Sequence, residues 1–205
     1  CLVVAVLVAA FAGALVGVAA ARLRGPYLAG ITLALAVGLP VLPKYSHLQS
    51  SLGGHAGISV NAPAPPGDMN YFRWQAWLCL IAAAITLFLL ANLSSSRVGR
   101  AFRAVRDDEI AASLAGLPVA RVQVLAFVVS AACAGLAGGL FGILSLTVLP
   151  DLFSLTLSLA LLAAAVFGGL GTLSGAVYGS VIITLLPFWS SDLARALSLP
   201  DKVQH

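Results

Sequence analysis

A chain of 205 residues that is 60% hydrophobic and 9% charged does not fit a single soluble core, because soluble domains run at about 45–50% and about 25%. Its net charge of +4 comes mainly from arginines clustered in short segments. That distribution signals membrane topology and excludes the continuous basic face of a nucleic-acid binder, leaving an integral membrane protein.

A spanning helix needs roughly 20 mainly apolar residues. Cys1 to Ala21 is uncharged and makes the first span. The chain opens inside that run, with no initiator Met and no basic leader, and reads as part of something longer. Arg22 and Arg24 interrupt, and Tyr27 to Leu42 gives a second, shorter span closed by Pro40 and Pro43. Residues 43–73 form a loop containing Gly53-Gly54-His55-Ala56-Gly57 and Pro63-Ala64-Pro65-Pro66-Gly67. Those residue types favour turns over regular helix. Trp74 to Leu93 is the third span, with Trp74 and Trp77 as interface anchors.

Residues 94–121 are polar. Val122 to Pro150 is then uncharged and makes the fourth span. Asp151 marks a turn, and Leu152 to Ser191 is long enough for two more spans, broken between Gly168 and Gly175. The fold class expected is all-α, a polytopic transmembrane helical bundle of about six spans. Four-residue glycine spacing (Gly13/Gly17, Gly135/Gly139, Gly138/Gly142 and the ladder Gly171/Gly175/Gly179) fits close helix packing in lipid. Cys1, Cys79 and Cys133 sit singly in apolar runs, so no disulfide, metal site or catalytic set is read from the sequence.

The polar segment 94–121 holds five of the 11 basic residues: Arg97, Arg100, Arg103, Arg106 and Arg121. Arg103 with Asp107, and Arg106 with Glu109, stand at ion-pairing spacing on a helix. Asp107-Asp108-Glu109 suits the start of a new helix, where carboxylates cap orphan amides and favour the positive dipole end. Ile110 to Ala115 then forms a short helix that Gly116 ends, with Pro118 in the first turn of the helix that follows. If this segment is cytoplasmic, so is the Arg22/Arg24 loop, while residues 43–73, with only Lys44 and Arg73, face outward. Two readings stand. The segment is gripped by a cytoplasmic partner, or it is a topological loop whose arginines bind anionic lipid heads.

The run from Gly99 through Ala112, followed by Gly116 and Leu125-Ala126-Phe127, resembles the coupling loop of ABC importer permeases for branched-chain amino acids of the LivM type. The wider importer signature, Glu-Ala-Ala, three residues, then Gly, is kept at Ala111, Ala112 and Gly116; Ile110 stands at its Glu position and the acid is at Glu109. The likeness extends through Leu23 to Ala29, Thr32-Leu33-Ala34, Gly53 to Ile58, Ser154 and Gly168 to Thr172. Members of that family begin with further N-terminal spans and end with one more helix, so this chain is expected to be incomplete at both ends.

The resemblance implies a single transmembrane permease domain over residues 1–205, one subunit of an ATP-driven importer in a bacterial inner membrane. It implies a second permease subunit, two cytoplasmic ATPase subunits, an extracytoplasmic substrate-binding protein and no cofactor. It also implies coupling through residues 107–116, with Arg100, Arg103, Arg106, Asp107, Asp108, Glu109, Ala111, Ala112 and Gly116 as coupling residues. Ala111 and Ala112 are the expected contacts for a partner's groove. The chain has no G-x-x-x-x-G-K-[S/T] loop of its own. Thr32, Ser130, Thr156, Ser158 and Thr184 are the hydroxyls within spans that could meet a solute, each also able to bond its own helix. An importer for urea or short amides and an ion-coupled carrier or channel remain as alternatives. A membrane enzyme is disfavoured, because no His, Glu or Lys lies within a span.

Overall fold

A computed structural model describes residues 2–22, 26–38, 58–59, 70–145, 147–148, 154–169 and 171–196. The Arg24 loop, the Gly53–Gly57 and Pro63–Gly67 runs, Asp151 and the tail after residue 196 lie outside the described residues. The chain divides into two compact units, Cys1–Pro150 and Asp151–His205.

The first unit holds α1 (Leu2–Arg22), α2 (Pro26–Gly38), α3 (Tyr71–Ser95), α4 (Arg97–Asp107), α5 (Glu109–Leu114) and α6 (Val119–Ser145). The second holds α7 (Leu155–Gly168) and α8 (Leu173–Ala196). The six apolar runs of the sequence each give a helix, and among the described residues three of them, Leu2–Ala21, Tyr71–Ser95 and Val119–Ser145, have both the length and the hydropathy to cross a bilayer. At 13 and 14 residues, α2 and α7 reach only about 20 Å at 1.5 Å per residue, short of the ~30 Å hydrocarbon core. The apolar part of α8 runs from Leu173 to Pro187, where proline removes an N–H from the ladder.

Large side chains on α1 and α3 such as Val3, Phe11, Phe88 and Leu89 are exposed. In lipid that exposure carries no hydrophobic penalty, so helix contact has to come from close packing of small residues. The α1–α6 pair shows how. A Cβ added at Gly13 would overlap Ala131 Cβ, and one at Gly17 would lie 3.0 Å from Phe127 Cβ and 3.2 Å from Val124 Cα. Towards the other end, a Cβ at Gly135 would overlap Ala9 Cβ, and one at Gly139 would lie 2.9 Å from Leu2 Cδ2. Residue numbers rise along α1 as they fall along α6, so the helices are antiparallel, and each supplies one glycine pair to a continuous seam.

Gly138 is different: a Cβ there meets nothing within 4 Å. Its expected pairing with Gly142 is therefore no packing repeat. Gly142 instead accommodates Val148, whose Cγ2 would be 3.0 Å from an added Cβ. Val148 belongs to β2 (Thr147–Val148), which pairs antiparallel with β1 (Ile58–Ser59) in the register Ile58↔Val148 and Ser59↔Thr147. This two-rung ladder, absent from the sequence reading, ties residues 58–59 to the end of α6.

In the second unit, α7 and α8 form a hairpin around backbone-to-backbone approach. A Cβ at Gly175 would overlap the Gly168 carbonyl, and one at Gly179 would overlap the Ala164 carbonyl. Ser154 caps α7 by accepting the Leu157 N–H at 3.4 Å, and Thr172 Oγ1 accepts the Gly175 N–H at 3.1 Å. Gly171, read from sequence as a packing glycine, sits in the turn with φ of 90° and is exposed. Its role is conformational, because an L side chain is strained there.

The seam makes a prediction. Gly135→Leu and Gly175→Leu should lower folded yield and destabilise the protein by about 1–3 kcal/mol or more, since no side chain can yield where backbone is the neighbour. Gly138→Ala, on the open face of α6, should leave both unchanged. Thermal unfolding of the purified variants separates the two classes; equal loss at Gly138 and Gly135 would remove the seam argument.

Candidate functional site

The polar segment is ordered from its first residue, and the reason is the end of α3. A helix terminus leaves its last four carbonyls without intrahelical donors. Here Ser95 Oγ donates to Asn92 O at 3.0 Å, and Ser96 donates to Leu93 O from both its N–H at 3.1 Å and its Oγ at 2.6 Å. Arg103 Nη1 donates to Ser94 O at 3.0 Å and Arg100 Nη1 to Ser95 O at 3.3 Å. All four carbonyls are satisfied, two of them by guanidinium groups placed at the negative end of the helix dipole.

The expected Arg103–Asp107 and Arg106–Glu109 pairs do not form. Arg103 is drawn back to α3, and Arg106 pairs with its neighbour Asp107 at 3.6 Å, both side chains being largely exposed. A surface pair of that kind contributes about 0–1 kcal/mol.

Ser96 also starts α4, its Oγ accepting the Val98 N–H at 3.2 Å and the Gly99 N–H at 3.4 Å. The chain reverses so tightly that a Cβ on Gly99 would overlap the carbonyls of Ser94 and Leu93. In α4, Val98, Phe102 and Val105 recur on one stripe; Val105 is buried and Phe102 half-buried. Arg97, Arg100, Arg103 and Arg106 are all exposed. That is the pattern of a helix lying on a surface with its apolar side down. A cleft of about 390 Å³ separates α4 and α5 from α6, bounded in part by Phe102, Val105, Asp108, Glu109, Val122 and Gln123.

Asp108 starts α5 as the sequence suggested, its Oδ1 accepting the Ile110 N–H at 2.8 Å and the Ala111 N–H at 3.0 Å. At the other end Gly116 takes φ of 83°. Its N–H donates to Ser113 O at 3.0 Å, and the Leu117 N–H donates to Ala112 O at 3.1 Å. These two bonds are those of a Schellman cap. Pro118 lies just before α6 and not in its first turn; its carbonyl accepts the Val122 N–H at 3.1 Å.

Between its two caps α5 has only six residues, and they differ sharply in exposure. Ala112, expected in a partner's groove, is 4% exposed, while Ile110 and Leu114 are 73% and 84% exposed. Ala112 is thus buried within its own chain. Ala111 is exposed. Glu109 accepts a hydrogen bond from Gln123 Nε2 of α6, which fastens α5 to a spanning helix. Ser96, Gln123, Ile110 and Leu114 were missed from sequence, although Ile110 and Leu114 stand at i and i+4, the spacing of one helix face.

The hydroxyls considered for a pathway are dispersed. Thr32 is half-buried on α2; Ser130 on α6 and Thr156 and Ser158 on α7 are exposed. Thr184 donates to its own helix at Ser180 O, 2.7 Å away. A stronger polar signal within a span comes from α3, where Gln75 is buried, and its Nε2 and the Trp74 Nε1 have no hydrogen-bond partner among the described residues.

Apolar helices of spanning length, joined by a surface helix and a short doubly capped helix, define a polytopic membrane protein with an ordered polar segment between two spans. Residues 1–200 match the family described as branched-chain amino acid transport system / permease component, and the chain belongs to that family. It is 32% identical to the high-affinity branched-chain amino acid transport system permease protein LivM of Escherichia coli, over 90% of this chain and 49% of that protein. A probable branched-chain amino acid transport permease protein LivM of Methanocaldococcus jannaschii is 25% identical over 97% of this chain and 60% of its own length. The Escherichia coli permease protein LivH is 35% identical over 66% of this chain and 42% of its own. The chain thus spans about half the length of the curated LivM relative from Escherichia coli. No solved structure matches it at a significant level.

The two caps predict how α5 fails. Gly116→Val should strain the left-handed position by roughly 1–2 kcal/mol. Ala112→Arg should loosen the same helix by forcing charge into a buried position. Ala111→Arg, on the exposed side, should not. Amide hydrogen exchange over residues 109–117 is the measurement, and unchanged protection in Ala112→Arg would contradict the burial.

Proposed function

We propose that this chain is a permease subunit of an ATP-driven importer for branched-chain amino acids, in a bacterial inner membrane. On this reading residues 94–121 face the cytoplasm and residues 43–73 face outward, in keeping with the positive-inside bias. A second permease subunit completes the passage, two cytoplasmic ATPase subunits supply the energy, and an extracytoplasmic protein delivers the solute. The relatives are named as transport permease proteins, and that supports the reading for this chain, which we take as one permease domain over residues 1–205.

The observation that carries the coupling role is the presentation of α5. A six-residue helix is too short to persist alone in water, yet this one is capped at both ends and fastened to α6 through Glu109 and Gln123. It exposes Ile110 and Leu114 side by side, which suits burial in a partner's groove. Closure of the ATPase pair would carry α5 with it and, through Gln123, move α6. Both the ATPases and the delivery protein would then bias the same two-state element. Arg100 and Arg103 serve by holding α4 against α3, and Arg106, Asp107, Asp108 and Gly116 by shaping the approach to α5.

For the solute, the nearly chargeless spans suit an aliphatic zwitterion better than an ion. Thr32, Ser130, Thr156 and Ser158 supply hydroxyls, and Gln75 supplies an unmatched amide donor. A buried donor without a partner costs about 1–3 kcal/mol, a cost that a solute's oxygen would offset during transport.

Two outcomes are expected. Ile110→Arg or Leu114→Arg should leave the abundance of the permease normal but cut solute-stimulated ATP hydrolysis in the reconstituted complex by about tenfold, with Arg97→Glu doing much less. Full stimulation and uptake in Ile110→Arg would defeat the coupling role. Gln75→Leu should raise the melting midpoint by about 2–4 °C for each kcal/mol recovered while slowing uptake. Unchanged uptake would remove Gln75 from the pathway.

A further inference from the structure

The α1–α6 seam leaves an open groove beside it, at the end where α1 finishes and α6 begins. Its volume is about 490 Å³, and its walls include Val18 and Ala21 from α1 and Ala120, Val124 and Leu125 from α6. The groove exists because of the seam. Gly17 lets the two backbones approach, so the flanking side chains stand up on either side of a valley. Ala21 and Ala120 are too small to close its end.

Every wall residue named so far is apolar, but Arg121 also lines the groove. Its side chain is exposed, and it makes no hydrogen bond or ion pair among the described residues. This sets it apart from Arg100, Arg103 and Arg106, each of which has a partner. The sequence places two more cations, Arg22 and Arg24, within three residues of Ala21. An occupant must therefore be apolar along the spans and anionic where they meet the polar segment. A solute zwitterion lacks the apolar length. A phospholipid has both parts.

We propose that this groove binds one anionic phospholipid from the leaflet on the side of residues 94–121, with an acyl chain against Val18, Val124 and Leu125 and its phosphate on Arg121. The planar guanidinium suits a phosphate's paired oxygens, and basic pockets between helices at this level of a membrane favour anionic head groups. The bound lipid extends the contact between α1 and α6 at the end where the seam has no glycine beyond Gly17.

The test uses the intact transport complex, delipidated and reloaded with phosphatidylglycerol or phosphatidylethanolamine, with retained lipid counted by native mass spectrometry. Phosphatidylglycerol should be held in preference, and Arg121→Gln should weaken its retention by about fivefold, the effect of one basic residue near the surface. Arg97→Gln, on α4, should not. Equal retention of the two lipids, or equal losses in Arg97→Gln and Arg121→Gln, would reduce the effect to general surface charge and overturn the site. A photoreactive residue at Leu125 provides the second measurement. An adduct of lipid mass is expected, and an adduct to a protein segment would show that a helix fills the groove, which also overturns the proposal.

Discussion

A spanning helix that stops at the membrane surface must find donors for its last carbonyls, and the way α3 does so fixes the geometry of the polar segment that follows it. Ser95 and Ser96 settle the first two and Arg103 and Arg100 settle the others. For those guanidinium groups to reach back, α4 must fold against the end of α3, and only glycine at position 99 permits the turn. The direction of α4 then sets where Asp108 can begin α5, and the start of α5 sets which of its faces is presented. Backbone chemistry, more than surface ion pairing, orders the segment.

Lipid removes the hydrophobic drive between helices, and the chain replaces it with surface fit. Two glycines on α1 and two on α6 bring that antiparallel pair together, and Gly175 and Gly179 do the same for α7 and α8 with carbonyls as the opposing surface. Because Gln123 lies on α6 and bonds Glu109, the exposed helix α5 is joined through one side-chain contact to a spanning helix, and through α6 to α1. The chain belongs to the family described as branched-chain amino acid transport system / permease component, and the coupling role proposed for α5 rests on this connection.

The sequence was most legible where local chemistry decides the outcome. Asp108 as a cap, Gly116 in the left-handed region and the break between α7 and α8 all follow from residue type and spacing, and each is found. It misled where a side chain had a choice of partners. Arg103 could serve Asp107 on its own helix or Ser94 across the turn. Spacing suggests the first, while the demand of an uncapped span end selects the second. Small size suits Ala112 to a partner's groove and equally to burial within its own chain, where it is 4% exposed while Ile110 and Leu114 stand open.

By itself, then, the amino-acid order determined that the chain is a membrane protein of apolar helices, where most of those helices lie, and that an arginine-rich segment with a capped short helix interrupts them. Those properties depend on composition and on neighbours a few residues apart. The tertiary structure alone decided which glycines form seams, since Gly135 meets Ala9 while Gly138, three residues on, meets nothing. It also decided that α5 is latched to α6 through Gln123, that Ile110 and Leu114 form its exposed face, and that Arg121 lines a groove between α1 and α6. Each of these depends on how segments separated in the chain pack together, and not on what either segment prefers alone.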